Sequence, residues 1–174
     1  MPRLSILAKE QADPSVLADF EAFEKARGKV PNLFATIARR PGFMRSVASL
    51  LRETMSPGEV SGRLKELTAL RVSRLNACEY CIASHTKLAR EAGASEDDLL
   101  AVADPGCASL SPAESAALRF ADAMAGVGGR VPEPLFAEVR GHWSEGAVVE
   151  IAAVVAAFSL FNRLANSLEI EITK

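Results

Sequence analysis

The chain has 174 residues, 49% of them hydrophobic, with Lys plus Arg at 20, Asp plus Glu at 22 and a formal net charge of −2. That length suits one domain and can bury a core without disulfide or metal staples. The near-balanced charge, with no Lys/Arg cluster, excludes the electrostatic footprint of a nucleic-acid binder.

The opening "MPRLSILAKEQADPS" lacks the apolar stretch and cleavage site of a signal peptide. Helical spacing begins at 14–28, where Val16, Leu17, Phe20 and Phe23 share a stripe and Gly28 can stop the helix. A short helix follows between Pro31 and Pro41, and the next segment, to residue 55, groups Phe43, Met44, Val47, Leu50 and Leu51. Ser56-Pro57-Gly58 breaks the pattern, and 61–76 opens a helix after Ser61. The segment 77–92 stops at Gly93, and Ser95 with Asp98 has the spacing of a capping box. Cys107 lies in the loop-like "DPGCASLSP", where no function is expected for it. Ser111, Pro112 and Glu114 form the clearest helix start, with Gly126 past its end. A short helix over 134–143 precedes a long one capped by Ser144 and reaching about Leu168. Its apolar run, 147–161, is short for a membrane span and carries Glu150, so it reads as a core helix. The expected fold is all-α, roughly eight helices in a single domain over 1–174, with no strand.

The chemistry concentrates in "LNACEYCIASHTKLAREAG", residues 75–93. On a helix, Cys78, Cys81, Ile82, His85, Leu88, Ala89 and Ala92 form one face, and Glu79, Ala83, Lys87 and Arg90 the other. The two sulfurs are then i, i+3 neighbours, close enough to form a disulfide. The helix N-terminus favours thiolate at Cys78 and, more weakly, at Cys81. His85, one turn beyond Cys81, can accept its proton. Two thiols and a base are the minimum for reversible two-electron sulfur chemistry, and a reducing cytoplasm is the expected compartment. Two other readings stand beside this one. Buried thiols and a core histidine can be plain packing, or Cys78, Cys81 and His85, completed by Glu66, can bind zinc. Against zinc, the only other histidine is His142 and there is no second C-x-x-C. Glu66 lies near the face of Leu67, Leu70 and Arg74, where its carboxylate can orient His85; otherwise it is solvated or paired near Lys65. Glu150 needs a partner inside its apolar helix, with Arg71, Arg74 and Arg163 as candidates, or else a raised pKa and a share in proton transfer.

The pattern E-x11-C-x2-C-x3-H, from Glu66 through Cys78 and Cys81 to His85, resembles the alkylhydroperoxidase AhpD-like family of the carboxymuconolactone decarboxylase superfamily, in its peroxidase-related branch. "VPNLF", "LRVSRLNACEYC", "SPAESAALRFADAM" and "FNRLANSLEI" extend the resemblance over nearly the whole chain. It implies a helical bundle assembled as a trimer or hexamer. It also implies a hydroperoxide substrate, and a dithiol reductant such as a lipoyl-bearing protein, with no bound cofactor. By motif position Cys81 would attack the peroxide, Cys78 would resolve, and His85 with Glu66 would relay protons. Tyr80 departs from members that carry a second histidine between the cysteines. The alternatives within the resemblance are a protein thiol–disulfide oxidoreductase or redox sensor, and a zinc-bound or non-catalytic member. A lactone decarboxylase is disfavoured, since nothing marks a lactone pocket.

Overall fold

Serine caps start three of the main helices. The side chains of Ser61, Ser111 and Ser144 accept the backbone N–H groups of Leu64, Glu114 and Ala147, satisfying donors that a helix start leaves unpaired. The computed structural model describes residues 2–103 and 109–173, so Cys107 lies outside the described residues. Among these there are nine α-helices and no strand: α1 Leu17–Arg27, α2 Asn32–Ile37, α3 Pro41–Met55, α4 Gly62–Leu75, α5 Glu79–Glu91, α6 Glu96–Ala103, α7 Pro112–Ala125, α8 Glu133–His142 and α9 Glu145–Leu168. Short 3₁₀ turns at Lys9–Gln11 and Pro14–Val16 precede α1. Ser95 and Asp98 cap α6 reciprocally, as their spacing predicts.

The hub is α4, which packs against α5, α6, α7 and α9. It is buried on most sides, through Leu64, Leu67, Leu70 and Val72. Its charged residues work as ties. Arg63 bridges Asp98 of α6 and Glu114 of α7, and Arg71 pairs with Asp122 of α7 at 2.6 Å. The second long core helix, α9, is long and apolar enough to cross a membrane by length and composition, yet half of its most apolar stretch is covered by the rest of the chain. Ile151, Val154, Val155, Phe158 and Phe161 face that core. In α3 only Met44, Val47, Ala48, Leu51 and Thr54 are buried; Phe43 and Leu50 face outward, because this peripheral helix is covered along one stripe.

Glu150 has a partner, and it is none of the expected arginines. Lys65 of α4, only 2% exposed, pairs with it at 2.9 Å and also donates to the Ser56 carbonyl at 2.7 Å. The backbone N–H groups of Glu59 and Val60 donate to the same carboxylate. Burial works to raise the Glu150 pKa, but the bonds from Lys65 and from these two N–H groups outweigh it and hold the carboxyl below its ordinary value. Arg71 is engaged by Asp122, Arg163 bonds the Ser159 carbonyl, and Arg74 is exposed. The carboxylate lies so close to the 56–60 turn that a Cβ at Gly58 would strike it. A larger residue there would push the carboxylate aside.

The chain past α9 turns back through Glu169, in the left-handed region at φ 49°. Asn32 then holds the tail by donating its backbone N–H to Thr173 Oγ1 and its side-chain amide to the Glu171 carbonyl. This lays residues 171–173 beside the start of α5.

Candidate active site

The turn between α4 and α5 sets up the cysteines. Asn76 caps α4, Ala77 takes a left-handed φ of 47°, and the Cys78 N–H donates to the Ser73 carbonyl at 2.9 Å. Helix α5 therefore starts at Glu79, and Cys78 is its N-cap residue, outside the helix proper. The expected face survives in part. Cys81, His85 and Ala89 are buried, Ile82 and Leu88 are half-buried, and Ala92 is exposed where the helix runs out of cover.

Cys78 and Cys81 are both buried free thiols. Cys78 is pulled down to about 7. The hydrogen bond from the Cys81 thiol is the largest cause; burial opposes it, and the Cys81 backbone N–H and the Asn162 amide assist. Cys81 is pushed up, first because it is the donor in that bond, then by burial and by the negative charge on Cys78. The pair thus holds one proton between two sulfurs and loses a second only with difficulty. The Cys81 backbone N–H, in the first turn of α5, adds to this preference for charge on Cys78.

His85 Nδ1 lies 2.7 Å from Glu66 Oε2, with both side chains largely buried. A carboxylate can only accept, so Nδ1 carries a hydrogen and Nε2 is the nitrogen free to exchange a proton. The Phe158 ring meets the imidazole edge-on, with centroids 4.4 Å apart, and fixes its plane. Cys81 and His85 line one cavity of about 30 Å³, walled by Leu33, Phe34, Phe158 and Phe161. Cys78 does not line it. A larger cavity of about 320 Å³ shares Arg27, Pro31, Tyr80 and Ser84 with the small one, so Tyr80 stands at their junction. The Tyr80 hydroxyl accepts from the Leu33 N–H and bonds Thr173 Oγ1, both at 3.3 Å, and burial raises its pKa. Among the described residues no three His, Cys, Asp or Glu side chains group as a metal ion would need.

The structure pairs His85 with Glu66 and Cys78 with Cys81, sets Cys81 and His85 on one cavity, and adds a residue not singled out from the sequence. Asn162 of α9, fully buried, donates to Ser73 Oγ at 3.1 Å and accepts from Asn76 Nδ2 at 3.0 Å. The available signal was an amide inside the apolar stripe Phe158, Phe161, Ala165.

Residues 41–123 match the model of the carboxymuconolactone decarboxylase family. The uncharacterized protein YdfG of Bacillus subtilis is 33% identical over 102 residues, 58% of this chain and 69% of YdfG. The chain belongs to the carboxymuconolactone decarboxylase family. Its likeness to the alkyl hydroperoxide reductase AhpD of Mycobacteroides abscessus, 30% identity over 86 residues, spans 49% of this chain and 44% of that protein. The fold is that of the alkylhydroperoxidase AhpD core in a peroxidase-related protein from Ralstonia eutropha JMP134. That structure has a TM-score of 0.90 at 24% identity, over 99% of this chain and 93% of the other. The same fold is found in the debrominase Bmp8 in complex with 2,3,4-tribromopyrrole, with a TM-score of 0.87 at 23% identity, over 98% and 91% of the two chains. The chain is therefore an AhpD-like member of an enzyme family whose fold hosts more than one chemistry.

Proposed function

We propose that the chain is a two-cysteine hydroperoxide reductase. The observation that carries this reading is the placement of the Cys81 thiol and the His85 imidazole on one small apolar cavity, with Glu66 behind the imidazole and Cys78 behind the thiol. A cavity of about 30 Å³ has room for roughly two water-sized groups, the size of a peroxide's two oxygens.

Cys81 Sγ bonds the distal oxygen of ROOH while its proton passes to the Cys78 thiolate, so the buried pair gains no second charge. The O–O bond breaks, and the leaving alkoxide takes a proton from Nε2 of the His85 imidazolium, whose Nδ1–H stays on Glu66. Cys81 is now a sulfenic acid. Cys78 attacks it, the S–S bond forms, and hydroxide leaves with the Cys78 proton as water. An external dithiol then reduces the disulfide by exchange. Because both sulfurs are buried, that reductant has to be slender, either a small dithiol or a lipoyl-type arm on a partner protein. The same burial weighs against exchange with folded disulfide proteins.

The test mixes reduced protein with tert-butyl or cumene hydroperoxide, quenches it and maps the thiols by mass spectrometry. Two thiols are expected to disappear together into a Cys78–Cys81 bridge, and Cys81→Ser is expected to abolish turnover. Full peroxidase activity in Cys81→Ser would overturn the assignment.

A further inference from the structure

Asn162 is the one wholly buried amide side chain among the described residues, and it interrupts the apolar stripe of α9. A buried amide is costly unless its hydrogen-bonding groups are used. The orientation of this one is determined by its neighbour. Asn76 Nδ2 donates one hydrogen to the Val72 carbonyl at 3.1 Å and the other to Asn162 at 3.0 Å. Asn162 must therefore present Oδ1 to Asn76, which turns Nδ2 the opposite way. There it donates to Ser73 Oγ at 3.1 Å, and Ser73 passes its own hydrogen to the Ala69 carbonyl at 2.7 Å. Nδ2 has a second hydrogen that neither Ser73 nor Asn76 takes, and Asn162 is the side-chain amide that favours the charged form of both Cys78 and Cys81. One turn further along α9, Asn166 donates to the Asn76 carbonyl at 2.8 Å, so two amides of α9 grip the turn that carries Cys78.

We propose that Asn162 is a thiolate ligand: its amide N–H, aimed by Asn76 and Ser73, holds negative charge on the Cys78–Cys81 pair and favours the reduced dithiol over the disulfide. A purely structural bridge between α4 and α9 needs only the bonds to Ser73 and Asn76. The remaining N–H has no structural duty, and it is the side-chain amide donor shared by the two sulfurs. A donor that binds thiolate and is lost on oxidation stabilises the reduced state and raises the reduction potential. The inference rests on the cysteine pair being the redox centre, but it is tested without peroxide.

The experiment compares wild type with Asn162→Leu and Asn162→Asp. Leucine removes the amide while leaving Ser73 bonded to Ala69 and Asn76 bonded to Val72. Aspartate keeps the acceptor facing Asn76 and puts a carboxylate oxygen where the donor was. Thiolate formation is followed by ultraviolet absorbance and by pH-dependent alkylation, the dithiol–disulfide equilibrium in glutathione buffers, and folding by melting temperature. In wild type the first midpoint is expected at about 7. Both variants should move it upward, aspartate further than leucine. The equilibrium should shift toward disulfide by about tenfold or more, ~30 mV for a two-electron couple. A variant that folds, whether or not its melting temperature falls, and keeps the wild-type midpoint and equilibrium overturns the proposal and leaves Asn162 as a bridge only. If the thiols shift as expected and the protein still ignores hydroperoxides, the peroxidase reading fails and this one stands.

Discussion

Lys65 and Glu66 are neighbours on α4, about 100° apart around the helix, and they belong to two buried charged clusters of opposite character. Lys65 with Glu150 is closed. The ammonium reaches the Glu150 carboxylate and the Ser56 carbonyl, and the carboxylate also takes the N–H groups of Glu59 and Val60. Glu66 with His85 is open. One hydrogen bond joins them, and the rest of the imidazole faces Phe158 and a cavity that a thiol shares. The contrast teaches that burial of charge alone does not mark a functional site. A saturated cluster holds helices together, whereas a cluster with one exchangeable nitrogen beside an unfilled space can act on a ligand.

The largest expected effect would test the closed side. Glu150→Ala leaves the Lys65 ammonium buried and uncompensated, which costs roughly 3–5 kcal/mol when one partner of a buried pair is removed. Urea unfolding measures it, and thiol reactivity of the folded protein should stay at the wild-type level. A loss below about 1 kcal/mol, the range of an exposed pair, would break the comparison. The pair also predicts a pH dependence. The folded-state pKa of Glu150 lies below the ordinary 4.5, so its stabilisation is complete above the unfolded value and is lost as pH falls through the folded one. Wild type should therefore lose more stability than Glu150→Gln on acidification below about pH 4.5.

The next effect tests the open side. Glu66→Gln keeps the size of the side chain and removes the charge that supports the His85 imidazolium. Peroxide-driven thiol loss should slow about 10²-fold, the range for a positioned acid–base group, while stability falls by only about 1 kcal/mol, the worth of one hydrogen bond. A stability loss as large as that of Glu150→Ala, with the rate unchanged, would make both clusters structural.

The smallest effect concerns the turns that serve each cluster. The closed one places Gly58 where a Cβ would strike Glu150, and the open one places Ala77 in the left-handed region at φ 47°. Ala77→Gly relieves a conformational cost of roughly 1–2 kcal/mol, offset in part by the freer unfolded chain. A net gain of up to about 1 kcal/mol is expected from thermal melts. A loss would show that the Ala77 methyl group packs and is not merely tolerated.

Much of this molecule was legible along the chain. Ser61, Ser111 and Ser144 cap their helices because capping needs only a hydroxyl and the next turn. Gly28 ends α1 because it alone reaches φ 77° without strain. Cys81 and His85 share a buried face because i, i+4 spacing places them there. Other features were not legible. Cys78 falls just outside its helix because Ala77 turns the chain sharply, and no periodicity encodes that turn. Phe43 and Leu50 sit on an apolar pattern that is wider than the cover α3 receives.

What the sequence determined by itself was everything set within a few turns of helix: the caps, the all-α class, and the Cys78, Cys81 and His85 cluster with Glu66 one helix before it. Only the tertiary structure decided that Lys65, and no arginine, answers Glu150, and that Asn162 meets Asn76 across 86 residues. It also decided that Cys81 faces the cavity while Cys78 takes the lower pKa. The reason is physical. Periodicity states which face of a helix is buried, but hydrophobic burial is non-directional. Which polar groups meet inside is settled by how the buried faces of α4, α5 and α9 close on one another.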